Sequence, residues 1–113
     1  MSQITTHVLD TAKGQPAKGI ELQLSVWRED GWHLLASGIT NADGRVSDLL
    51  PVGKVLPAGR YRVRFELEPY LKLEGVPVFY PRADIEFMVG PDGEHYHIPL
   101  LLSPYGYSTY RGS

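Results

Sequence analysis

The 113-residue sequence contains no cysteine, which removes a disulfide framework, a thiol nucleophile and any cysteine-based zinc site. That absence fits a reducing compartment. Neither charge sign is in excess: 11 Lys and Arg face 13 Asp and Glu, for a net charge of −2. With a pI near 6.0, the chain has no electrostatic footprint for nucleic acid or an anionic membrane. No apolar run approaches the roughly 18 residues of a membrane span, and the stretch from Met1 to His7 has neither the basic nor the apolar region of a signal peptide. The expectation is therefore a cytoplasmic protein without nucleic-acid or membrane partners, or a periplasmic one if a leader has been removed. Several catalytic signatures are missing too. There is no Gly-x-Ser-x-Gly elbow, no Gly-rich phosphate loop and no His-Glu-x-x-His helix. The acidic residues fall mainly in turns or alternate with apolar ones, which reads as solvent-facing.

What is present is ordinary globular composition, 42% hydrophobic and 21% charged, and a length that suits one domain spanning residues 1–113. A chain this small gains from oligomerisation, which buries further apolar surface. Apolar residues alternate at period two, interrupted by Gly, Pro and Asp about every ten residues, and this predicts an all-β sandwich of seven to eight strands. Gln3 to Leu9 is a first strand, with Thr5, His7 and Leu9 on one face. Ile20, Leu22, Leu24 and Val26 alternate with polar residues, and Asp30-Gly31 then turns the chain into Trp32 to Thr40 as a hairpin. Asn41-Ala42-Asp43-Gly44 is another turn and delivers Arg45 just beyond it. Tyr61, Val63, Phe65 and Leu67 alternate with Arg60, Arg62, Arg64 and Glu66, a half-buried strand whose basic face is read as solvated. Glu68 to Gly75 is the one short helix, with Pro69 early and Gly75 as its stop. Ile85, Phe87 and Val89 mark a further strand, and no internal repeat or linker is visible.

The chain then ends unusually. His95 to Ser113 carries two histidines, four tyrosines and an arginine around a Ser-Pro-Tyr-Gly turn, whereas chain ends are commonly loose and polar. The segment predicts a hairpin: strand Glu94 to Leu102, turn Ser103 to Gly106, and a return from Tyr107. Alternation puts His95, His97, Pro99 and Leu101 on one face and Tyr96, Ile98, Leu100 and Leu102 on the other. On the return, Ser108, Tyr110 and Gly112 form one row. A row with His97 beside a row with Tyr110 makes a titratable surface on an otherwise hydrophobic hairpin.

Singly, these residues have plain explanations. His95 and His97, two apart on a strand, point the same way as metal ligands would, but no third ligand follows from the spacing, and no metal is expected. His7 alone reads as a structural histidine, Arg45 as a surface charge, and Tyr110 with Arg111 as a sheet edge.

Taken together they match a family. Thr6-His7-Val8-Leu9-Asp10 with Gly14-Gln15-Pro16-Ala17, then Asp43-Gly44-Arg45, and finally Tyr96 to Ser113 ending in Tyr-Arg-Gly-Ser, resemble the 5-hydroxyisourate hydrolases, the enzyme branch of the transthyretin-like family. The likeness spans essentially the whole chain. Hormone-binding transthyretins resemble it around Val8-Leu9-Asp10 and Ser103-Pro104-Tyr105 but lack the set His7, Arg45, His97 and Tyr110.

The resemblance implies a transthyretin-like two-sheet sandwich assembled as a homotetramer, with active sites at the dimer-dimer interface and no cofactor. It implies hydrolytic opening of 5-hydroxyisourate, the purine-derived product of urate oxidase, at a cyclic amide bond to give a ureidoimidazoline in urate degradation. His7 and His97 would share the acid–base work in an order the sequence leaves open, and Arg45 would bind substrate and stabilise charge. Tyr110 would supply a hydrogen bond and a ring edge, while Arg111, Gly112 and Ser113 shape the wall. Two other classes stand beside this one: a transthyretin-like carrier that binds a small aromatic ligand without turnover, and an adhesive or structural β-module.

Overall fold

The computed structural model of the chain describes residues 2–113. Strands β1 (Ile4–Asp10), β2 (Gln15–Pro16), β3 (Glu21–Arg28), β4 (Gly31–Ile39), β5 (Arg45–Val46) and β6 (Gly59–Glu66) precede helix α1 (Glu68–Leu73). Strands β7 (Arg82–Val89), β8 (Tyr96–Ser103) and β9 (Gly106–Thr109) follow it. Seven of the nine strands have four or more residues, and β2 and β5 are two-residue pairings on β1. The expected strands and the single helix are therefore present.

Two sheets form the sandwich. One runs β2-β1-β8-β9 with β5 also on β1, and the other runs β4-β3-β6-β7. The second sheet is antiparallel throughout. In the first, β1 and β8 lie parallel, pairing Ile4 with Tyr96 through Asp10 with Leu102. Leu22, Leu24, Val63 and Phe65 from one sheet meet Ile4, Val8 and Leu100 from the other, all fully buried. Each contributes on the order of 1.5–3 kcal/mol on burial.

The Asp30-Gly31 signal does form the β3–β4 hairpin, closing on Arg28 opposite Gly31. The basic face of β6 is less solvated than its alternation suggests. Arg62 lies 4.5 Å over the Trp32 ring, and Arg64 grips Asp84 through two bonds of 2.7 and 3.0 Å. Helix α1 has Pro69 in its first turn and no side-chain cap on Leu67. It ends where the Gly75 and Val76 N–H groups return to Lys72 and Leu71 carbonyls, a Schellman closure. Its Tyr70 hydroxyl donates to buried Asp10 at 2.7 Å, and burial plus that bond push the tyrosine well above its usual range. Asp10 also accepts the Ala12 and Lys13 N–H groups, so one carboxylate fixes the end of β1, the following loop and the helix.

The boundaries of the terminal hairpin differ from the pattern. β8 begins at Tyr96 rather than Glu94 and extends to Ser103, and β9 stops at Thr109. Leu101 pairs with Ser108 and His97 bridges Gly112, a register that sets Pro99 opposite Tyr110. Proline has no N–H to give there, so the ladder is interrupted. Thr109 instead donates its hydroxyl to the Pro99 carbonyl at 2.7 Å.

Candidate active site

The outer face of the five-stranded sheet collects the polar residues. Parallel pairing sets Thr5 beside His97 and His7 beside Pro99, while β5 sets Arg45 beside His7. Side chains of paired residues share a face, and strands lie about 4.8 Å apart. Three distant segments thereby bring Thr5, His7, Arg45, His95 and His97 together, although they are up to about ninety positions apart in the chain. A cavity of about 280 Å³ opens on this face, lined by Thr5, Arg45, Ser47, His95, His97 and Ser113 among others.

Arg45 owes its position to the Asn41–Gly44 turn. The Asn41 side-chain carbonyl accepts the Asp43 and Arg45 N–H groups at 2.9 and 3.0 Å, and the Gly44 N–H returns to the Asn41 carbonyl at 2.9 Å. The Gly44 carbonyl accepts the Val8 N–H at 2.8 Å, which ties the turn to β1 one residue beyond His7. The arginine itself is exposed.

Thr5 organises the histidines. Its Oγ1 lies 2.8 Å from His97 Nδ1 and 2.9 Å from His95 Nε2, and the two imidazoles stand nearly parallel, 16° apart at 6.5 Å. Gly112 packs against the His97 ring so closely that an added Cβ would stand 2.5 Å from His97 Cδ2. Held by Thr5 on one side and Gly112 on the other, the ring has little freedom. Its Nε2 has no protein partner among the described residues.

Electrostatics keep both central histidines uncharged. Partial burial and then the Arg45 cation hold His7 below the usual imidazole value, against a smaller opposing pull from Asp43. Partial burial, Arg45, His7 and His95 act together in the same direction on His97. Near pH 7 each carries a free lone pair, the state a proton acceptor requires. Among the described residues, no group of three or more His, Cys, Asp and Glu side chains is placed to hold a metal ion. Neither ring nitrogen that faces the other histidine is free, because Thr5 occupies both.

The sequence-predicted residues divide. His97, Arg45 and Ser113 line the cavity, His7 adjoins it through Arg45, and Gly112 packs behind the His97 ring. Within one chain, Tyr110 and Arg111 are turned elsewhere. Both line a groove of about 350 Å³ beside Ile85, Phe87 and Met88 of edge strand β7. Arg111 stacks 4.7 Å over Tyr96 and lies 3.8 Å from the Glu94 carboxylate. The break opposite Pro99 explains the turn-out, since the row carrying Tyr110 is no longer pinned by ladder bonds there. Thr5, Thr6, Ser47 and His95 also line the cavity and were not among the expected site residues. The signal for Thr5 was its place on the His7 face, two residues earlier.

A two-sheet sandwich with one short helix, a parallel β1–β8 pair and a polar sheet face defines a transthyretin-like protein. The chain belongs to the HIUase/Transthyretin family, whose model matches residues 4–112. It is 46% identical over 121 aligned positions to the 5-hydroxyisourate hydrolase of Caulobacter vibrioides, covering all of both chains. Among solved structures it resembles 5-hydroxyisourate hydrolase from Klebsiella pneumoniae, with TM-score 0.83, 39% identity, and coverage of 97% of this chain and 92% of that one. It also resembles transthyretin from Sparus aurata, with TM-score 0.91, 35% identity, and coverage of 99% and 97%. Hydrolase and transthyretin share the fold, so the backbone does not choose between their functions. The side chains of the site must do that.

Proposed function

We propose that this chain is a 5-hydroxyisourate hydrolase, acting as a single domain in a homotetramer with its sites between dimers. The observation that carries the reading is the pairing of His7 with Arg45 beside a Thr5-anchored His97 on one rigid sheet face. Strands hold such a constellation more accurately than loops. A carrier that only binds a small aromatic ligand has no need of a proton acceptor beside a cation.

Opening a cyclic amide needs an activated water, a stabiliser for the oxyanion and a proton for the leaving nitrogen. The neutral histidines accept the water proton. The planar Arg45 guanidinium binds the carbonyl edge and the charge that develops on it. Water adds to the carbonyl carbon, the C–N bond breaks, and the nitrogen takes up a proton as the ring opens. The cavity is open on the sheet face, and a second dimer packed there would close it and bring Tyr110 of a neighbouring copy within reach.

The deciding measurement is the absorbance decay of freshly made 5-hydroxyisourate. At catalytic protein concentration the decay accelerates, with many turnovers per chain. Protection of the substrate in proportion to protein would instead identify a carrier, and light scattering reporting a monomer would remove the tetramer.

The pH dependence follows from the site. Both histidines sit below their ordinary value of about 6.5, so their base form predominates at neutrality and is lost as pH falls through a midpoint below that value. The acid limb of kcat/KM is therefore expected below about 6.5, and Arg45→Met is expected to move it upward by removing the cation. A wild-type midpoint at or above that value, or an unmoved limb in Arg45→Met, would count against these histidines as the base.

A further inference from the structure

Hydrolysis of an amide at neutral pH leaves a carboxylate and a weakly basic ureido nitrogen. Of the two protons of the attacking water, one ends on that nitrogen. The other must leave the site in every turnover as the new acid ionises. A buried threonine, only 7% exposed, joins His97 to His95 through a single oxygen, and His95 is exposed. His95 lines the His97 cavity and also a second solvent-open hollow, formed with Gln3, Lys54, Val55 and Gly93.

We propose that His97, Thr5 and His95 form a proton relay that carries the hydrolytic proton from the cavity to solvent, making His97 the primary base and His95 the exit. The inference rests on the hydrolase reading of the site.

The chemistry of the bridging oxygen supports this directly. A hydroxyl has one hydrogen and two lone pairs, so Thr5 Oγ1 accepts from one imidazole while donating to the other. In the receiving state His97 carries its proton on Nδ1 and donates it to Thr5, Thr5 donates to His95 Nε2, and His97 Nε2 is free. When Nε2 takes a proton from water, Nδ1 passes its own to Thr5 Oγ1 as the hydroxyl hydrogen moves to His95 Nε2. His95 then releases a proton from Nδ1 to solvent. No heavy atom moves, and His97 ends neutral with its proton on Nε2, oriented as the acid for the leaving nitrogen. Nε2 gives that proton to the leaving nitrogen as it takes up the proton of the new carboxylic acid. Once the product has left, the chain resets: Nε2 loses its proton to water in the cavity while His95 Nδ1 takes one from solvent, so each turnover exports one proton net. The groups that face His97 are Arg45 from β5, His7 from β1 and His95 from its own segment. All three oppose its remaining protonated, which favours onward transfer. An imidazole suits the outer position because it can accept a proton at one ring nitrogen while it donates one from the other.

The test uses the full-length protein in weak and strong buffer. His95→Gln is expected to lower kcat by about 10-fold in weak buffer with KM unchanged. That is less than the roughly 10² to 10⁴ of a primary acid–base group, because bulk water still accepts the proton slowly. Added imidazole is expected to restore it, while wild-type kcat responds little. Thr5→Val keeps the side-chain shape but breaks the chain, so its kcat falls in any buffer, and Thr5→Ser stays near wild type. Wild-type kcat for His95→Gln in weak buffer, or a loss that imidazole does not restore, overturns the relay. So does a Thr5→Val variant as active as Thr5→Ser. His97→Ala separates the two levels. If it stays active, the reading of the site fails, whereas an inactive His97→Ala beside unimpaired Thr5→Val and His95→Gln rejects the relay alone.

Discussion

His97→Ala is expected to slow ring-opening by about 10² to 10⁴, the range typical of a lost general acid–base group, while leaving the fold intact. The imidazole is only half-buried on the outer face of the sheet, so its removal opens no core cavity, and β8 keeps its parallel ladder with β1. The loss should fall mainly on kcat, since Arg45 and the cavity wall still bind substrate. His7→Ala is expected to lose at least about 10² as well. Its partner is Arg45 rather than Thr5, so it shares the site without sharing the hydroxyl anchor. Residues that act as a unit give non-additive losses, and the double variant should be little worse than the poorer single one. Substrate decay at wild-type rate in both single variants would remove the two histidines from the mechanism.

How far these contacts could be read from the sequence depends on the distance each inference had to reach. Alternation at Tyr61, Val63 and Phe65, the Asp30-Gly31 hairpin and the Pro69-to-Gly75 helix are local, and each reflects backbone preference or burial of one face. The parallel pairing of β1 with β8 is not local. Nothing in Thr5 or His97 says that they are neighbours, and without that register Thr5 is one more strand threonine. His95 shows the reverse case. As one of a histidine pair it suggested metal binding and little else, and only the common oxygen gives it a part. Tyr110 stands away from the His97 row of its own chain for a local reason. Pro99 cannot donate to the opposing residue, so a row drawn by alternation alone runs through a gap in the ladder, which resumes only at the His97–Gly112 bridge. β5 is only Arg45–Val46, paired with His7 and Thr6. The site therefore hangs on a short pairing held by the turn before it.

That dependence makes Gly44→Ala the most damaging small substitution available. Gly44 has φ +72, and a Cβ there would stand 2.4 Å from the Val8 carbonyl oxygen, a backbone atom fixed in the central strand of its sheet. Two costs add. An L-residue in the left-handed region loses about 1 kcal/mol or more, and overpacking against an atom that cannot yield adds roughly 1 to 3. Together they predict about 3 kcal/mol, or a fall in Tm on the order of 10 °C for a chain this size. Gly14 supplies the control. Its φ is +66, yet an added Cβ meets nothing within 4 Å, so Gly14→Ala carries the conformational cost alone. The difference in Tm between the two variants isolates the close approach. Activity separates them further: the methyl group at position 44 must push the turn off β1, and Arg45 moves with it away from His7. Gly44→Ala should therefore lose ring-opening activity at temperatures where it is still folded, and Gly14→Ala should keep it. Equal unfolding temperatures, or full activity in folded Gly44→Ala, would mean that the turn does not set the position of Arg45.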